Sequence, residues 1–243
     1  MIEPEYEKSI EFLQAFRPTG FWVLTAITPD KKSIETRSFA STEPNETIAW
    51  LRAKGESHNL YFSVNPTTKP VRKKAEREDI ASMAFLHVDI DPRPGRELES
   101  ERKRTLTMLT DKLPESVPPP TWIIDSGGGY WAFWKLREPF LIEADSSKYE
   151  EAKRYNVQLE ILFDGDGCHN VDRIGRLPGT INRPDANKIA KGRATRLASI
   201  VFHDPDRVYD LSQFTPAPLV QSATDLVFTG QLVKIPSGNI QRL

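Results

Sequence analysis

Two aspartates end an apolar stretch of the chain in a pattern that could bind metal ions. The stretch Phe85–Pro92 reads Phe-Leu-His-Val-Asp-Ile-Asp-Pro, so Asp89 and Asp91 are two residues apart at the end of a predicted strand. Because side chains alternate along a strand, both carboxylates are expected on one face, where oxygen ligands suit Mg²⁺ or Mn²⁺. Such a pair can hold two ions about 3.5–4 Å apart for phosphoryl or nucleotidyl transfer. Asp-Pro is also an ordinary turn signal, and sugar-nucleotide transferases use the same pair.

A glycine-rich segment lies between two further predicted strands. Ser126 is followed by Gly127, Gly128 and Gly129. Consecutive glycines expose backbone N–H groups and allow an anion to approach closely, so the segment could cradle a phosphate. The same residues would also suit a hairpin turn with no further role.

A third segment places a carboxylate beside two guanidinium groups. Asp172 is followed by Arg173 and Arg176, and then by Leu-Pro-Gly-Thr-Ile-Asn. Arginine binds phosphate oxygens in a bidentate manner, so this combination suits a metal-bound triphosphate. A structural cluster of ion pairs before a Pro-Gly turn would have the same composition.

In order and spacing, these motifs resemble those of the archaeo-eukaryotic primase superfamily, in its phage and plasmid replication-protein branch. The family's first motif is an apolar strand ending in Asp-x-Asp or Asp-x-Glu. Its second is Ser-Gly-x-Gly-x-His before aromatic residues, and its third is an apolar residue and Asp before Arg-x-Pro-Gly-Thr-x-Asn. The resemblance covers roughly residues 20–200, and its matching positions are Asp89 and Asp91, Ser126–Trp134, Val171–Asp172, Arg176–Asn182 and an upstream Asn-x-Tyr-Phe-x-x-Asn at Asn59–Asn65.

The resemblance implies a mixed α/β (α+β) fold with an RRM-like antiparallel catalytic sheet that carries all three motifs, beside an N-terminal α/β half. It implies a DNA primase-polymerase that performs two-metal nucleotidyl transfer on single-stranded DNA with dNTPs or rNTPs, working with a helicase domain or a separate helicase. Asp89, Asp91 and Asp172 would hold two Mg²⁺ or Mn²⁺ ions. The nucleotide would be bound by Ser126, Gly127, Gly128, Gly129, Trp131, Arg173 and Arg176.

One residue departs from the family pattern. Trp131 stands where the family has a histidine that contacts the incoming triphosphate. Its indole offers one N–H donor and a face that could stack on a base. Trp131 and Trp134 should point to opposite faces of a strand, so we expect Trp131 at the site and Trp134 in the core.

Two other functions fit parts of the pattern. The chain could be a non-catalytic DNA-binding module that has the same fold and acts in replication initiation. The change at Trp131 favours this function. The three aspartates favour the enzyme. A sugar-nucleotide transferase would explain Asp-x-Asp but not Arg-Leu-Pro-Gly-Thr.

Two basic runs offer contacts for nucleic-acid phosphates. Lys69–Arg77 has five basic residues and one acid, and Arg173–Arg196 has seven and one. Either could be a solvated surface. The second follows the third motif, so we expect it to hold template phosphates through Arg183, Lys188, Lys191, Arg193 and Arg196.

The elements that must position these motifs can be predicted from hydrophobic spacing. Residues 1–205 should form the catalytic domain and residues 206–243 a tail or linker. Helices are predicted at 9–16, 44–54, 97–113 and 147–163, and strands at 21–27, 60–64, 83–91, 122–124, 130–136 and 197–203.

Composition excludes several classes of protein. The chain has 243 residues, 28% charged residues and a net charge of -1, which describes a globular domain. No apolar run approaches the ~20 residues of a membrane helix, and the N-terminus has no signal-peptide pattern. One cysteine excludes an intramolecular disulfide and a cysteine-rich zinc site, so we expect a cytoplasmic protein without zinc.

Overall fold

The computed structural model describes residues 2–219 as five α-helices and eleven β-strands. The helices are α1 (Tyr6–Phe16), α2 (Pro44–Gly55), α3 (Leu98–Thr110), α4 (Ser146–Phe163) and α5 (Ala186–Ala190). The strands are β1 (Phe21–Ile27), β2 (Ile34–Ala40), β3 (Asn59–Ser63), β4 (Ser82–Ile90), β5 (Trp122–Asp125), β6 (Tyr130–Leu141), β7 (Ile174–Arg176), β8 (Ile181–Asn182), β9 (Arg196–Leu197), β10 (Ser199–His203) and β11 (Val208–Tyr209).

The N-terminal half is built on an antiparallel sheet with the strand order β2-β1-β3-β7. β1 is internal and nearly continuous in apolar residues, as expected for a strand covered on both faces. Its one polar buried side chain, Thr25, shares a 2.9 Å hydrogen bond with Thr36 of β2. α1 and α2 pack beside each other on this half.

The second sheet has the order β10-β5-β6-β4, and β11 adds to β6 in parallel. Alternation along β6 sends Ala132 and Trp134 to one face, where they join Leu86 and Val88 in a core under α3 and α4. Trp131 and Phe133 point to the opposite face, toward the N-terminal half.

Aromatic side chains join the two halves. Phe16 of α1 stacks on Phe85 of β4 with ring centroids 3.8 Å apart, and it packs edge-on against Phe133 and Phe62. These rings share one core. The face of β4 that carries Phe85 therefore looks toward the N-terminal half, and Asp89 lies further along that same face.

The predicted helices and strands are present, and the mixed α+β class with antiparallel sheets is confirmed. The prediction that one sheet carries all three motifs is wrong, because β7 of the third motif pairs with β3 in the N-terminal sheet. The active face is therefore shared between two sheets. The sequence also does not predict β2, which is mostly polar, or β7, which has only three residues.

The packed region extends past the boundary predicted at residue 205. β11 pairs with β6, Phe214 is buried against Trp134, and Ala217 N–H donates to Arg154 O at 3.0 Å. The rest of the predicted tail, residues 220–243, lies outside the described residues. Within the described part of the chain, no helix is both long and apolar enough to cross a membrane.

Candidate active site

The two aspartates of the first motif lie where β4 ends. Asp89 is directly opposite Trp131 in the β4–β6 register, and Asp91 follows the last residue of the strand. The pKa of Asp89 is raised well above its usual value, chiefly by burial and then by the charges of Asp91 and Asp166. Like charges are therefore held close together here.

Asp166, which the sequence did not single out, joins this pair. Its backbone N–H donates to Asp89 O at 3.0 Å, and its Oδ2 accepts a hydrogen bond from Asp91 N–H. Gly165 permits this approach, because a Cβ there would lie 2.8 Å from Val88 Cγ2. Partial burial raises the pKa of Asp166, and the charge of Asp91 raises it further.

The prediction that Asp172 completes the carboxylate group is not supported by the geometry. Tyr149 Oη donates to Asp172 Oδ1 at 2.6 Å, and Lys74 Nζ lies 3.7 Å from Oδ2. The carboxylate of Asp172 is thus bonded to a side chain of α4 and paired with a lysine of the first basic run, Lys69–Arg77. Asp166, six residues earlier, is the carboxylate residue that contacts the backbone of Asp89 and Asp91.

The donor chemistry of the three carboxylates fits a hard divalent cation. Asp89, Asp91 and Asp166 supply oxygen ligands and an excess of negative charge. They interact electrostatically without converging on one point: among residues 2–219, no three His, Cys, Asp or Glu side chains form a group that could hold a metal ion as they stand.

The glycine loop is a tight turn whose amides are already bonded. Gly127 N–H donates to Asp125 Oδ1 at 2.7 Å, and the N–H groups of Gly128 and Gly129 donate to Ser126 Oγ at 3.2 and 3.0 Å. The predicted phosphate cradle is therefore not formed by free amides. The glycines instead allow close packing, since a Cβ on Gly129 would lie 2.7 Å from Asp91 Oδ1.

Three side chains from outside the loop hold it in place. Arg102 of α3 is buried and bonds Asp125 Oδ2, Asn182 Nδ2 donates to Ser126 O at 2.8 Å, and Arg193 donates to Gly128 O. The sequence does not predict that Arg102 or Asn182 contacts the loop, because both residues are far from it along the chain.

Arg176 is the best candidate anion ligand in the site. It is buried, its guanidinium lies 4.2 Å from the Tyr61 ring centroid, and Nη2 donates to Tyr61 Oη and Asn182 Oδ1. Nε and Nη1 are buried with no partner among the described residues. Burial lowers the pKa of Arg176, while Tyr61 and Asp89 act in the opposite direction. Unpartnered buried donors are costly, so a ligand that accepts from them would be bound strongly.

Arg173 reaches Asp89 indirectly. Its Nη2 donates to Cys168 Sγ at 2.7 Å, and that thiol lies 3.6 Å from Asp89 Oδ2. Burial raises the pKa of Cys168 to about 12, so the residue is a thiol at neutral pH. The Arg173 charge lowers the pKa of Asp89 and offsets part of the carboxylate repulsion.

Trp131 lies on the floor of the site but is 5% exposed. Its ring stacks at 5.7 Å on His87 and at 5.6 Å on Phe133, inside the core shared by the two halves. Trp131 is therefore on the predicted face, directly opposite Asp89, but its ring is packed as a core residue. Trp134 is fully buried on the other face, as expected.

The predicted DNA-binding residues separate into two groups. Arg183 donates to His58 O at 3.3 Å, Arg196 bonds Glu99 at 2.5 Å and Arg193 bonds the glycine loop. Lys188 and Lys191 are exposed. Only the two lysines of this run are fully available to a nucleic acid.

The upstream segment positions the third motif. Asn59 exchanges two hydrogen bonds with the backbone of Arg183, at 2.9 and 2.7 Å. Asn65 is fully buried and bonds the backbone of Val171, at 3.1 Å, and of Phe85. The two asparagine amides therefore hold the backbone on both sides of the third motif.

Comparisons with known proteins agree with this architecture, although no family model matches the chain. A curated protein described as "Replication protein" from Clostridium perfringens is 24% identical over 131 residues, which is 51% of this chain and 29% of that protein. The match therefore spans less than a third of that relative's length.

Two solved primase structures have the same fold. The AEP domain of the cyanophage S-2L primase-polymerase has a TM-score of 0.59 at 16% identity, covering 85% of this chain and 95% of that one. The catalytic domain of primase Repb′, solved with initiator DNA, has a TM-score of 0.55 at 13% identity, covering 83% and 87%. The chain therefore has the fold of the archaeo-eukaryotic primase catalytic domains.

Proposed function

We propose that this chain is the catalytic domain of a replication primase-polymerase, which joins nucleotides on a single-stranded DNA template. One observation supports this most directly: Asp166 bonds the backbone of Asp89 and Asp91 at the end of β4, and the charges of Asp91 and Asp166 add to burial in raising the pKa of Asp89. Perturbed carboxylates grouped in a cleft are typical of functional sites. The fold shared with two solved primase domains favours nucleotidyl transfer over other metal-dependent chemistries.

In this proposal, Asp89, Asp91 and Asp166 would hold Mg²⁺ or Mn²⁺. The bound ions would activate a hydroxyl group and neutralise charge on the phosphates. Asp172 has no part in this, because Tyr149 and Lys74 already satisfy its carboxylate.

The incoming dNTP or rNTP would present its phosphates to Arg176. The buried Nε and Nη1 of this residue are donors without partners in the described chain, and a phosphate oxygen would satisfy them. A cavity of about 170 Å³ leads to this guanidinium and is also lined by Tyr61, Asn182 and Arg183. Arg173 would act by moderating the charge on Asp89 rather than by direct contact.

The reaction would proceed by displacement at phosphorus. The 3′-hydroxyl oxygen of the growing strand forms a bond to the α-phosphorus of the incoming nucleotide. The bond from that phosphorus to the bridging oxygen breaks, pyrophosphate leaves, and the hydroxyl proton passes to water.

A non-catalytic DNA-binding module is the second candidate. Two observations favour it: Trp131 is packed in the core where the family has a triphosphate-binding histidine, and the glycine-loop amides are already bonded. The charge repulsion among three carboxylates counts against it, because a DNA-binding surface gains nothing from grouped negative charge.

An incorporation assay separates the two candidates. The full chain would be incubated with single-stranded DNA, labelled dNTPs or rNTPs and Mg²⁺ or Mn²⁺, with and without a primer. We expect incorporation by the wild-type chain and none by Asp89→Ala or Asp91→Ala, with both variants folded. DNA binding without any wild-type incorporation would favour the non-catalytic module.

A further inference from the structure

A second cavity is bordered by two of the three carboxylates. It has a volume of about 370 Å³, within the ~300–1,000 Å³ of small-molecule sites. Asp91 and Asp166 form one wall. The loop between β4 and α3 forms another, and the segment after α5 closes the third.

The remaining walls of this cavity contain five cationic side chains, and the charge of four of them is not neutralised within residues 2–219. Within residues 2–219, no carboxylate lies at ion-pairing distance from Arg96, Lys188, Lys191 or Arg193. Arg193 bonds only the carbonyl of Gly128, which leaves its charge in place. Arg93 differs, because Glu101 holds it at 2.7 Å.

The two cavities share Lys188 and otherwise contain different cations. The smaller contains Arg176 and Arg183 and the larger contains Arg96, Lys191 and Arg193, while Asp91 and Asp166 border only the larger. Nucleotidyl transfer brings together two phosphate-bearing partners, the incoming nucleotide and the strand that supplies the 3′-hydroxyl. Two adjoining cationic cavities, the larger of them bordered by Asp91 and Asp166, match that requirement.

We propose that the larger cavity binds the phosphates on the 5′ side of the nucleotide whose 3′-hydroxyl attacks. This inference rests on the proposed function and assigns part of the second basic run to the growing strand rather than to the template. The phosphates could belong to the 5′-triphosphate of an initiating nucleotide or to the backbone of a longer primer. Both present the same oxygen chemistry to Arg96, Lys188, Lys191 and Arg193.

The test uses a double variant, Arg96→Gln with Lys191→Gln, in the full chain. Both residues are exposed and are unpaired in the described part of the protein, so the fold should be unaffected. The matched control is Lys69→Gln with Arg72→Gln, two exposed cations of the first basic segment that line neither cavity.

Extension would be measured on a dinucleotide with a 5′-triphosphate, the same dinucleotide with a 5′-hydroxyl, and a longer 5′-hydroxyl primer. We expect the double variant to raise KM roughly tenfold for the substrate whose phosphates occupy the cavity. An effect confined to the triphosphate-bearing dinucleotide identifies an initiation site, and an effect on the longer primer identifies a backbone site. A change in KM for the incoming nucleotide alone, or no change in any arm, would overturn the proposal.

Binding of the 5′-triphosphate dinucleotide and of the longer primer, each followed by fluorescence anisotropy, tests the cavity without requiring turnover. The double variant should weaken binding of at least one of them roughly tenfold, and the control variant should bind both as wild type does. If the wild-type chain incorporates nothing but shows this binding difference, the proposed function fails and the cavity assignment stands. Equal binding by all three proteins overturns the cavity assignment whatever the activity.

Discussion

The surroundings of Asp172 and the cleft at the end of β4 contain the same kinds of charged side chains in opposite arrangements. Around Asp172 the charges are paired: Lys74 lies 3.7 Å from its Oδ2, Arg77 lies 3.2 Å from Glu150, and Lys73 lies 2.6 Å from Glu76. In the cleft, Asp91 and Asp166 stand on one wall of a cavity whose other walls are cationic.

This contrast teaches how to interpret a charged motif. Paired charges neutralise one another and need no ligand. The paired cations of the first basic run therefore stabilise the fold rather than bind a ligand. Val71 and Ala75 of that segment are buried, and Ser38 fixes it through two hydrogen bonds to Val71. Grouped like charges raise the energy of the folded chain, and a bound ligand of opposite charge offsets that cost.

The sharpest test of the contrast exchanges one carboxylate in each region for its amide. Asp166→Asn should lower the rate of primer extension by roughly 10³-fold or more, because it removes charge from the carboxylate group. Asp172→Asn should leave that rate close to wild type and lower the free energy of unfolding by about 1 kcal/mol, since Tyr149 loses a charged acceptor. Extension assays and urea unfolding of both variants provide the measurements.

Asp166→Asn should also melt no lower than the wild type, because it relieves repulsion with Asp89 and Asp91. The comparison is broken if Asp172→Asn abolishes extension while Asp166→Asn retains it. That result would restore the assignment made from the motif alone.

Substitutions at Trp131 test whether its side chain stabilises the core or contacts the nucleotide. Its ring is packed between His87 and Phe133, so Trp131→Ala should destabilise the fold by about 3 kcal/mol. Trp131→His should also destabilise it, because the smaller ring leaves space in this core. Unfolding in urea, with and without nucleotide and Mn²⁺, measures both effects.

The alternative for Trp131 is stacking on a nucleotide, which was the expectation from the motif. In that case Trp131→Ala would raise KM for the nucleotide, by an amount near the ~1–3 kcal/mol of base stacking, with little loss of stability. Undiminished nucleotide-induced stabilisation in a strongly destabilised variant supports the core assignment.

Much of the fold could be predicted because its signals are local. β1, β4 and β6 are long apolar runs, and such runs indicate strands. β7 could not be predicted to pair with β3, because 3 residues contain no periodicity and the pairing spans more than 100 positions of the chain.

The difference between the motif's assignment of Asp172 and its surroundings in the structure has a physical origin as well. The motif places Asp172 next to Arg173, but the loop after α4 runs along β4, so the residue that meets Asp89 is the earlier Asp166. An aspartate between two glycines, Gly165 and Gly167, directly after a helix was the available signal. Glycine there indicates close backbone approach, and the close approach is to β4.

The smallest expected effect concerns DNA binding by the two basic runs. Lys188→Gln with Lys191→Gln removes two exposed cations next to the cleft, whereas Lys69→Gln with Arg72→Gln removes two exposed cations of the first basic run that line neither cavity. Each phosphate contact contributes roughly 0.7 to the slope of log affinity against log salt for single strands, and more for duplex. Titrations of primed single-stranded DNA at several salt concentrations should show a slope lower by about 1.4 for the first variant and unchanged for the second.

This double variant is more informative than one that also replaces Arg193 and Arg196, because those residues hold the glycine loop and Glu99. Their loss would change the site as well as its charge. Equal slopes for the two double variants would mean that both basic runs contact DNA alike. The contrast between the two regions would then hold for the folded chain but not for its binding to DNA. A lower slope only for Lys69→Gln with Arg72→Gln would reverse the assignment of the DNA-binding face.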